Sequence, residues 1–268
     1  MFSRLAVVAL GLGLTAQAAA ADNHAPAQRE ICWQSTPLIR ELWSKDAYVA
    51  PPAVSPLMLD AIDGNLPQVR RRLQAMKPAD ATHWRQLAML TAVWTGQSGV
   101  VDGLLDDGAA VNAMGSIPAL KPAFYAHTVD AMQHDSRFGS PAAVRQMIAA
   151  GLVSNRASST GPALTVAVEC ADLTTLDVVL RHHADVAQRE SPNVADALTV
   201  ATVGGDAAVV QRLLDHGADA CADDRHLAKM HLEHPTRPTH TLAQIGHHAK
   251  LPAALVARLI CPAVAATH

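Results

Sequence analysis

Four segments of the chain share one pattern of apolar and small residues, and this repetition constrains the fold more than any other feature. Each segment has apolar residues separated by two others, then a glycine or small residue seven positions after the first, then a second apolar stripe. A recurring period of 20–50 residues is typical of proteins built from stacked units. The four segments are LMLDAIDGNLPQVRRRLQA from Leu57, MLTAVWTGQSGVVDGLLDDGAAVN from Met89, LTVAVECADLTTLDVVLRHHADV from Leu164 and LTVATVGGDAAVVQRLLDHGADA from Leu198.

The spacing predicts two short amphipathic helices in each segment, joined by a tight turn. Gly64 and Gly96 lie 32 residues apart at two of these turns, and Gly205 lies 34 residues after Ala171. Glycine suits such turns because it adopts a positive φ without steric cost. One helix pair cannot bury its apolar stripe alone, so the pairs must stack. Small residues in the first helices would let neighbouring helices approach closely: Ala61, Ala92, Ala167 and Ala201.

Composition supports an all-α fold and excludes some partners. Half of the 268 residues are hydrophobic but only 3% are aromatic, so the apolar mass consists of Ala, Leu and Val, which favours closely packed helices. The net charge of −3 offers no general attraction for nucleic acid or anionic lipid. The hydrophobic content and the charged fraction of 17% also argue against intrinsic disorder.

The helix starts, the glycine turns and the second-helix stripes together resemble the ankyrin repeat, whose period is about 33 residues. The best matches to the closing motif of that family are Gly217-Ala218-Asp219 and the stretch 108–112. The resemblance covers residues 55–262 and implies an ankyrin-repeat solenoid of about five to six helix-turn-helix units with short hairpin loops and capping segments. The family's Thr-Pro-Leu-His opening survives only as GPALT at residues 161–165, so we expect less regular hairpins.

One interval in the repeat is too long. The closing glycines Gly108 and Gly151 lie 43 residues apart, an excess of about ten over the family period. We place the excess at residues 130–139, between one helix that starts at Pro122 and another that starts at Ser140. An insertion between paired helices falls on one face of a stack, and loops often carry function. We therefore predict that it binds a partner, through His134, Asp135, Arg137 and Phe138.

Residues 1–21 have the features of a secretion signal. Arg4 supplies a positive charge, residues 5–14 form an apolar run, and small residues ending in an Ala-x-Ala site follow. Ten apolar residues are too few to span a bilayer, so we expect a cleaved signal peptide and a periplasmic protein if the host is Gram-negative. A buried N-terminal helix is the alternative. Residues 22–54 are expected to cap the stack with a short helix over ICWQSTPLIRELW, and residues 263–268 to form a tail.

The four cysteines are too few for a disulfide scaffold and include no Cys-x-x-Cys pair. Cys221 follows a closing motif where a hairpin loop would begin, and Cys261 ends the second helix of the final, degenerate unit on the same side of the stack. We therefore predict a disulfide between them, which would enclose the irregular residues 223–238. Cys170 lies at the opposite end of its unit, and Cys32 would reach it only if the N-terminal segment ran back along the stack. That second pair is much less favoured.

Motifs for chemistry are scarce. No P-loop or H-E-x-x-H motif occurs, and GQSG at residues 96–99 is one residue short of a nucleophile elbow. Residues 70–72, all arginine, are expected to be a solvated helix face rather than a phosphate or membrane contact. One group of histidines suggests a metal site because the spacings of five and three between the first three could place two ligands on one helical face, with polar helix surface as the favoured alternative: His226, His231, His234, His240, His247 and His248. We predict no catalytic residue, cofactor or metal.

These features predict a non-enzymatic protein-binding module. The family resemblance implies a concave surface of hairpin tips and first helices that binds protein partners without a cofactor. Exported bacterial ankyrin proteins resemble two groups, namely immunity proteins against periplasm-acting secreted toxins such as type VI effectors, and factors that support oxidative-stress defence. An acidic, exported chain without catalytic motifs favours the immunity role, with a secreted toxin as the partner. The stress role and a histidine-rich metal-dependent enzyme are the alternatives.

Overall fold

The protein is helical throughout most of the part that its computed structural model describes. The described residues are 27–124, 154, 156–159, 161–170, 172–188, 196–233 and 240–261. The chain divides into two compact units, Ala27–Asp185 and Val186–His268, which we call the N-terminal and C-terminal units. The predicted all-α class is confirmed in its coarse form. The predicted signal peptide and the C-terminal tail lie outside the described residues.

The described part of the N-terminal unit contains three helix pairs. Each second helix begins within four residues of the end of the first, and the pairs pack in series, first helix against first helix and second against second. The helices are α1 (Ala27–Ser44), α2 (Val54–Ile62), α3 (Leu66–Gln74), α4 (Pro78–Trp94), α5 (Ser98–Asp106), α6 (Ala163–Cys170) and α7 (Leu173–Arg181), with α2/α3, α4/α5 and α6/α7 as the pairs.

Turn chemistry explains why each pair bends where it does. Gly64 and Gly96 end the first helices with φ of 74° and 71°, which is the left-handed region that favours glycine. The residue that precedes the second helix then caps it, because the Asn65 side chain accepts from the Gln68 N–H and the Asp172 side chain accepts from the Thr174 N–H. The small residues of the first helices are buried as predicted, including Ala61, Ala92 and Ala167.

The second and third pairs of the N-terminal unit are in direct contact, although 56 residues lie between Asp106 and Ala163 in sequence. Helix α4 packs against α6, and α5 packs against α7. The Cys170 Sγ lies 3.7 Å from the Trp94 carbonyl oxygen, at the ends of α6 and α4. No further pair lies between these two, so the unit predicted from Pro122 cannot occupy the next place in the row. Its second helix, predicted from Ser140, lies outside the described residues.

The connection between α5 and α6 contains two short β-strands. Strand β1 (Ser116–Ile117) pairs antiparallel with β2 (Ser158–Ser159), and Tyr48 makes an isolated antiparallel bridge with Leu120. The expectation of helices alone is thus wrong here. Because Ile117 and Leu120 are buried, their backbone groups must find hydrogen-bond partners away from water, and neighbouring extended segments supply them.

Helix α1 confirms the predicted helix over residues 31–43 and extends it at both ends. It packs against α2 and also against α6, so it does more than cap one end of the series. Cys32 lies at disulfide distance from Cys170, with a Cα–Cα separation of 5.3 Å. The sequence favours this pair much less than Cys221–Cys261, and that expectation is wrong. Helix α1 runs back along the helix pairs, which is the condition that a Cys32–Cys170 disulfide requires.

Within its described residues, the C-terminal unit contains two helix pairs and one further helix: α8 (Ala197–Gly204), α9 (Ala207–Asp215), α10 (Ala220–Glu233), α11 (Leu242–His248) and α12 (Ala253–Arg258). Helix α8 packs against α11 and α9 against α12, while α10 contacts α8 and α11. Cys221 and Cys261 lie at disulfide distance, as predicted, with Cα atoms 5.0 Å apart. Cys221 belongs to the first turn of α10 rather than to a loop, because the Asp219 carboxylate accepts from its N–H and starts that helix.

Among the helices described, none is long and apolar enough to cross a membrane.

Candidate functional site

The residues predicted to bind a partner lie outside the described part of the chain, so their role stays a prediction. They are His134, Asp135, Arg137 and Phe138. The structure does describe the residues on either side of them. The Leu120 N–H donates to the Ser154 carbonyl oxygen at 2.8 Å, so the segment between these two residues leaves and re-enters the N-terminal unit at one place. We call this place the neck, and define it as residues 46–49, 116–121, 154 and 156–159.

Polar contacts fix the neck to the start of α2. The Lys121 ammonium contacts the Asp46 carboxylate at 2.7 Å and the Asp46 carbonyl oxygen at 2.6 Å. The Ser55 hydroxyl donates to the same carboxylate at 2.9 Å. These bonds, from Lys121 first and Ser55 second, lower the pKa of the Asp46 carboxyl below its usual value. The neck therefore holds both ends of the predicted binding segment in a defined position.

Two exposed apolar side chains lie at or near the neck. The Val49 N–H donates to the Ala119 carbonyl oxygen at 2.8 Å, and the Val49 side chain is 59% exposed. Met114, two residues before β1, is 50% exposed. Among the described residues of the N-terminal unit, these are the exposed large hydrophobic side chains. They lie where the predicted binding segment joins the fold.

The histidines of residues 226–248 are not gathered into a metal site in the part that is described. His226 belongs to α10, and His247 and His248 belong to α11. The His240 and His248 ring centroids are 5.8 Å apart, and the Nδ1 of His248 is 2.8 Å from the Gln244 carbonyl oxygen of its own helix. No three metal-binding side chains from this group come within ligand distance of one another among the described residues. The His231 side chain and His234 lie outside the described part, so both the surface interpretation and the metal alternative stay predictions.

A different group has donor atoms close enough to hold a metal ion, and it joins α5 to α7. The atoms of Asp102, Asp106 and His182 that would act as ligands lie within 4.8 Å of one another. The His182 Nε2 is 2.7 Å from an Asp102 carboxylate oxygen and 3.9 Å from an Asp106 oxygen. The Asp106 side chain is 66% exposed, so water would compete with its carboxylate for a metal ion.

An arginine already occupies the most enclosed carboxylate of that group. The Arg181 guanidinium donates to the same Asp102 oxygen at 2.6 Å. Hydrogen bonds from His182 and then Arg181 lower the pKa of the Asp102 carboxyl. A cation held this close opposes the binding of a metal ion by direct repulsion, so the group acts as an ion-pair contact between two helices.

The same kind of contact recurs between the second helices of neighbouring pairs. We call these three ion pairs the second-helix ladder: Arg70–Asp107 and Arg181–Asp102 in the N-terminal unit, and Arg258–Asp215 in the C-terminal unit. In the first of them the Arg70 guanidinium makes two bonds to Asp107, at 2.7 and 3.0 Å. Exposed pairs of this kind contribute about 0–1 kcal/mol each. Their role is to fix the register between helices.

The three consecutive arginines at residues 70–72 have different surroundings. Arg70 takes part in the second-helix ladder, Arg72 forms an ion pair with Asp60, and Arg71 is exposed. The Arg70 and Arg72 side chains remain 43% and 39% exposed in these ion pairs, which agrees with the predicted solvated helix face.

Sequence analysis did not single out Asp102 or His182, although a signal was present. Asp102 and Asp106 are four residues apart on one helix and so share a face, and LLDD at residues 104–107 and VLRH at residues 179–182 occupy equivalent positions in two of the recurring segments. The acidic end of one second helix and the basic end of the other suggest a contact only once the two pairs are known to be neighbours in space. The comparison with known proteins adds no information on it: no family model matches the chain, and no curated protein matches it.

Proposed function

We propose that this chain is an exported ankyrin-repeat solenoid that binds a protein partner and is not an enzyme. One observation carries the proposal: the helix pairs pack in series, first helix on first helix and second on second, with left-handed glycines at the turns and the second-helix ladder between neighbours. Such a series presents a long edge of turns and loops from a rigid scaffold, which suits recognition of a large partner.

The charged groups of the described part favour binding over catalysis. Those that are close together form structural bonds between helices, as in the second-helix ladder and in the Lys121–Asp46 contact at the neck. A catalytic site needs titratable groups that are positioned for a substrate and shifted toward their working pH. The lowered pKa of Asp46 and of Asp102 instead has an ion pair or hydrogen bond as its largest cause.

The partner that we propose is a secreted toxin that acts in the periplasm, of the type VI effector class. All four cysteines are in disulfide-distance pairs, which fits an oxidising compartment. The signal-peptide features of residues 1–21 agree with export. In an inhibitor of this kind, the predicted segment at residues 130–139 would contact the toxin from the neck.

A competition experiment tests this function. The gene is deleted in the source organism, and the mutant is grown at high density on a surface with its parent, which carries the toxin. We expect recovery of the mutant to fall by about tenfold or more, because an immunity protein protects a cell from its own kin. Full-length gene should restore survival, whereas a gene without residues 1–21 should not. Arg71→Ala is a matched control that leaves the neck intact and should restore survival.

Two results would contradict the proposal. Equal recovery of the mutant and its parent would exclude immunity, and a mutant that is sensitive only to peroxide would support the stress role instead. Stoichiometric zinc in protein purified from the periplasm, together with a zinc-dependent activity, would support the enzyme alternative.

A further inference from the structure

The two cysteine pairs differ in how far solvent reaches their side chains. Cys32 and Cys170 are almost fully buried, at 5% and 3% exposure. Cys221 and Cys261 are both partly exposed. A thiolate must reach a sulfur atom directly to exchange with a disulfide, so access decides which of two disulfides reacts in a folded protein. Of the two pairs, Cys221–Cys261 is the one that meets this condition.

The chain on either side of Cys261 is uncharged. Leu259 is fully buried at the end of α12, whereas the next residue, Ile260, is 60% exposed. Neither Ile260 nor Pro262 carries a charge. An incoming thiolate therefore meets no carboxylate from the residues next to this cysteine.

The residues around Cys221 are acidic. The Asp219 carboxylate accepts from the Cys221 N–H at 2.9 Å, so a negative charge lies beside this cysteine. Two further aspartates follow at residues 223 and 224. The Arg225 guanidinium lies 3.7 Å from Asp219, but both side chains are exposed to water, which weakens this ion pair. Carboxylates repel a thiolate, so attack at Cys261 is favoured over attack at Cys221.

The cross-link joins the start of α10 to the chain just after α12. Helix α12 has six residues, which is too short to be stable by itself. Its other anchors are the buried Leu255 and Leu259 and the partly exposed ion pair between Arg258 and Asp215. Opening the cross-link therefore leaves α12 attached but less firmly held.

We propose that Cys221–Cys261 is a redox site that exchanges with a dithiol, whereas Cys32–Cys170 is a structural cross-link that does not react in the folded protein. A thiolate of the dithiol attacks the Cys261 sulfur, a mixed disulfide forms, and Cys221 leaves as a thiolate. The second thiolate of the dithiol then attacks its own sulfur in the mixed disulfide, and Cys261 leaves. The dithiol is oxidised to a disulfide, and the two cysteine thiolates take up the two protons that it gave up. This inference does not depend on the identity of the binding partner.

Selective reduction of the full oxidised chain tests the proposal. The folded chain is incubated with dithiothreitol, samples are blocked with iodoacetamide over time, and the labelled cysteines are located by mass spectrometry. We expect Cys221 and Cys261 to be labelled about tenfold or more faster than Cys32 and Cys170. In strong denaturant, where all four sulfur atoms are accessible, the two pairs should be reduced at similar rates. Equal rates in the folded chain, or faster reduction of Cys32–Cys170, would overturn the proposal.

Two matched substitutions at Ile260 test which sulfur is attacked. Ile260→Asp and Ile260→Lys both change an exposed side chain and leave the buried residues of the unit unaltered. At low salt we expect the first to slow reduction of Cys221–Cys261 about threefold and the second to accelerate it by a similar factor, because the new charge repels or attracts the thiolate. Reduction of Cys32–Cys170 should be unchanged. Equal rates for the two variants would overturn the assignment of Cys261 as the sulfur that is attacked.

A trapping experiment tests the class of reductant. A thioredoxin-type oxidoreductase whose second active-site cysteine is replaced by serine cannot complete the exchange and stays bound as the mixed disulfide. We expect it to form a covalent complex with the oxidised chain through Cys261. The control is the chain with both Cys221→Ser and Cys261→Ser, which should form no complex. Absence of a complex with the native chain, or a complex through Cys32 or Cys170, would overturn the proposal.

Discussion

At the scale of single residues, Asp224 shows a carboxylate whose burial works against its charge. Its side chain accepts from the Leu242 N–H at 2.7 Å and so satisfies the first turn of α11. Burial raises the pKa of the Asp224 carboxyl, and the hydrogen bond from Leu242 only partly offsets this effect. A raised pKa means that the folded state disfavours the charged form. The stability cost is therefore present above that pKa and disappears as the pH falls through it.

Asp224→Asn keeps the acceptor oxygen and removes the charge. We expect the variant to be more stable than the native chain near neutral pH by about 0.5 kcal/mol, a small figure because the side chain is partly exposed. The advantage should vanish in acid. Urea unfolding across this pH range measures it, with Asp224→Ala as the control that loses the acceptor and should be less stable at every pH. A constant difference between Asn and Asp at all pH values would show that burial of the charge has no effect.

A second residue-scale prediction concerns Gln97, which precedes α5. The equivalent residues Asn65, Asp172 and Asp206 each cap the second helix of their pair with a side-chain oxygen, but Gln97 makes no such bond. The glutamine side chain is one methylene longer than asparagine and instead lies over Gly64.

Gln97→Asn should supply the missing cap and raise the free energy of unfolding by about 0.5–1 kcal/mol. Thermal and urea unfolding would measure the change. Asn65→Gln is the reciprocal control. It should lower the free energy of unfolding by a similar amount, because it lengthens the side chain that caps α3 in the native chain. A Gln97→Asn variant no more stable than the native chain would mean that the α5 N-terminus is already satisfied by water.

At the scale of elements, the helix pairs could be predicted from sequence and the connection between α5 and α6 could not. Apolar spacing defines the pairs locally, and the glycines at residues 64, 96 and 205 mark the turns of three of them, so these pairs can be predicted. The residues after Gly108 also contain an apolar, helix-like pattern with a closing glycine, so they were interpreted as one more unit. Only the direct contacts of α4 with α6 and of α5 with α7 exclude that interpretation.

The packing partners of α1 cannot be predicted from the sequence for a similar reason. Its apolar positions show that it packs, but not against which helices, because any apolar stripe fits either an end or a side of the row. The same limit applies to Asp102 and His182. Their charges are evident in the sequence, but their contact depends on which pairs are neighbours in space.

The direct contact between the second and third pairs makes a prediction about the segment that leaves the N-terminal unit. Replacing residues 125–153 with a Gly-Ser linker of about six residues, which can span about 20 Å, should leave the helix pairs folded. The Leu120–Ser154 bond and the β1–β2 pairing already hold the two ends together. We expect a shift in unfolding temperature of only a few degrees and loss of partner binding. A large loss of helical circular dichroism beyond the removed residues would show that the segment supports the pairs.

At the scale of the whole molecule, each unit contains one disulfide-distance pair. Cys32 and Cys170 both belong to Ala27–Asp185, and Cys221 and Cys261 both belong to Val186–His268. A cross-link stabilises a fold mainly by restricting the unfolded chain, so its effect belongs to the unit that it closes. In the C-terminal unit, the cross-link encloses the irregular helix α10 and ends beside the short helix α12.

Replacing Cys221 and Cys261 with serine should therefore destabilise the C-terminal unit by about 2–4 kcal/mol. We expect amide hydrogen exchange to accelerate in α11 and α12, which pack on α8 and α9, while α2 and α4 keep their native protection. The double variant Cys32→Ser with Cys170→Ser is the matched control, and it should accelerate exchange in α1 while leaving α11 and α12 unchanged. If either variant accelerated exchange uniformly along the chain, the two units would unfold as one, and the stabilising effect of each cross-link would extend over the whole protein.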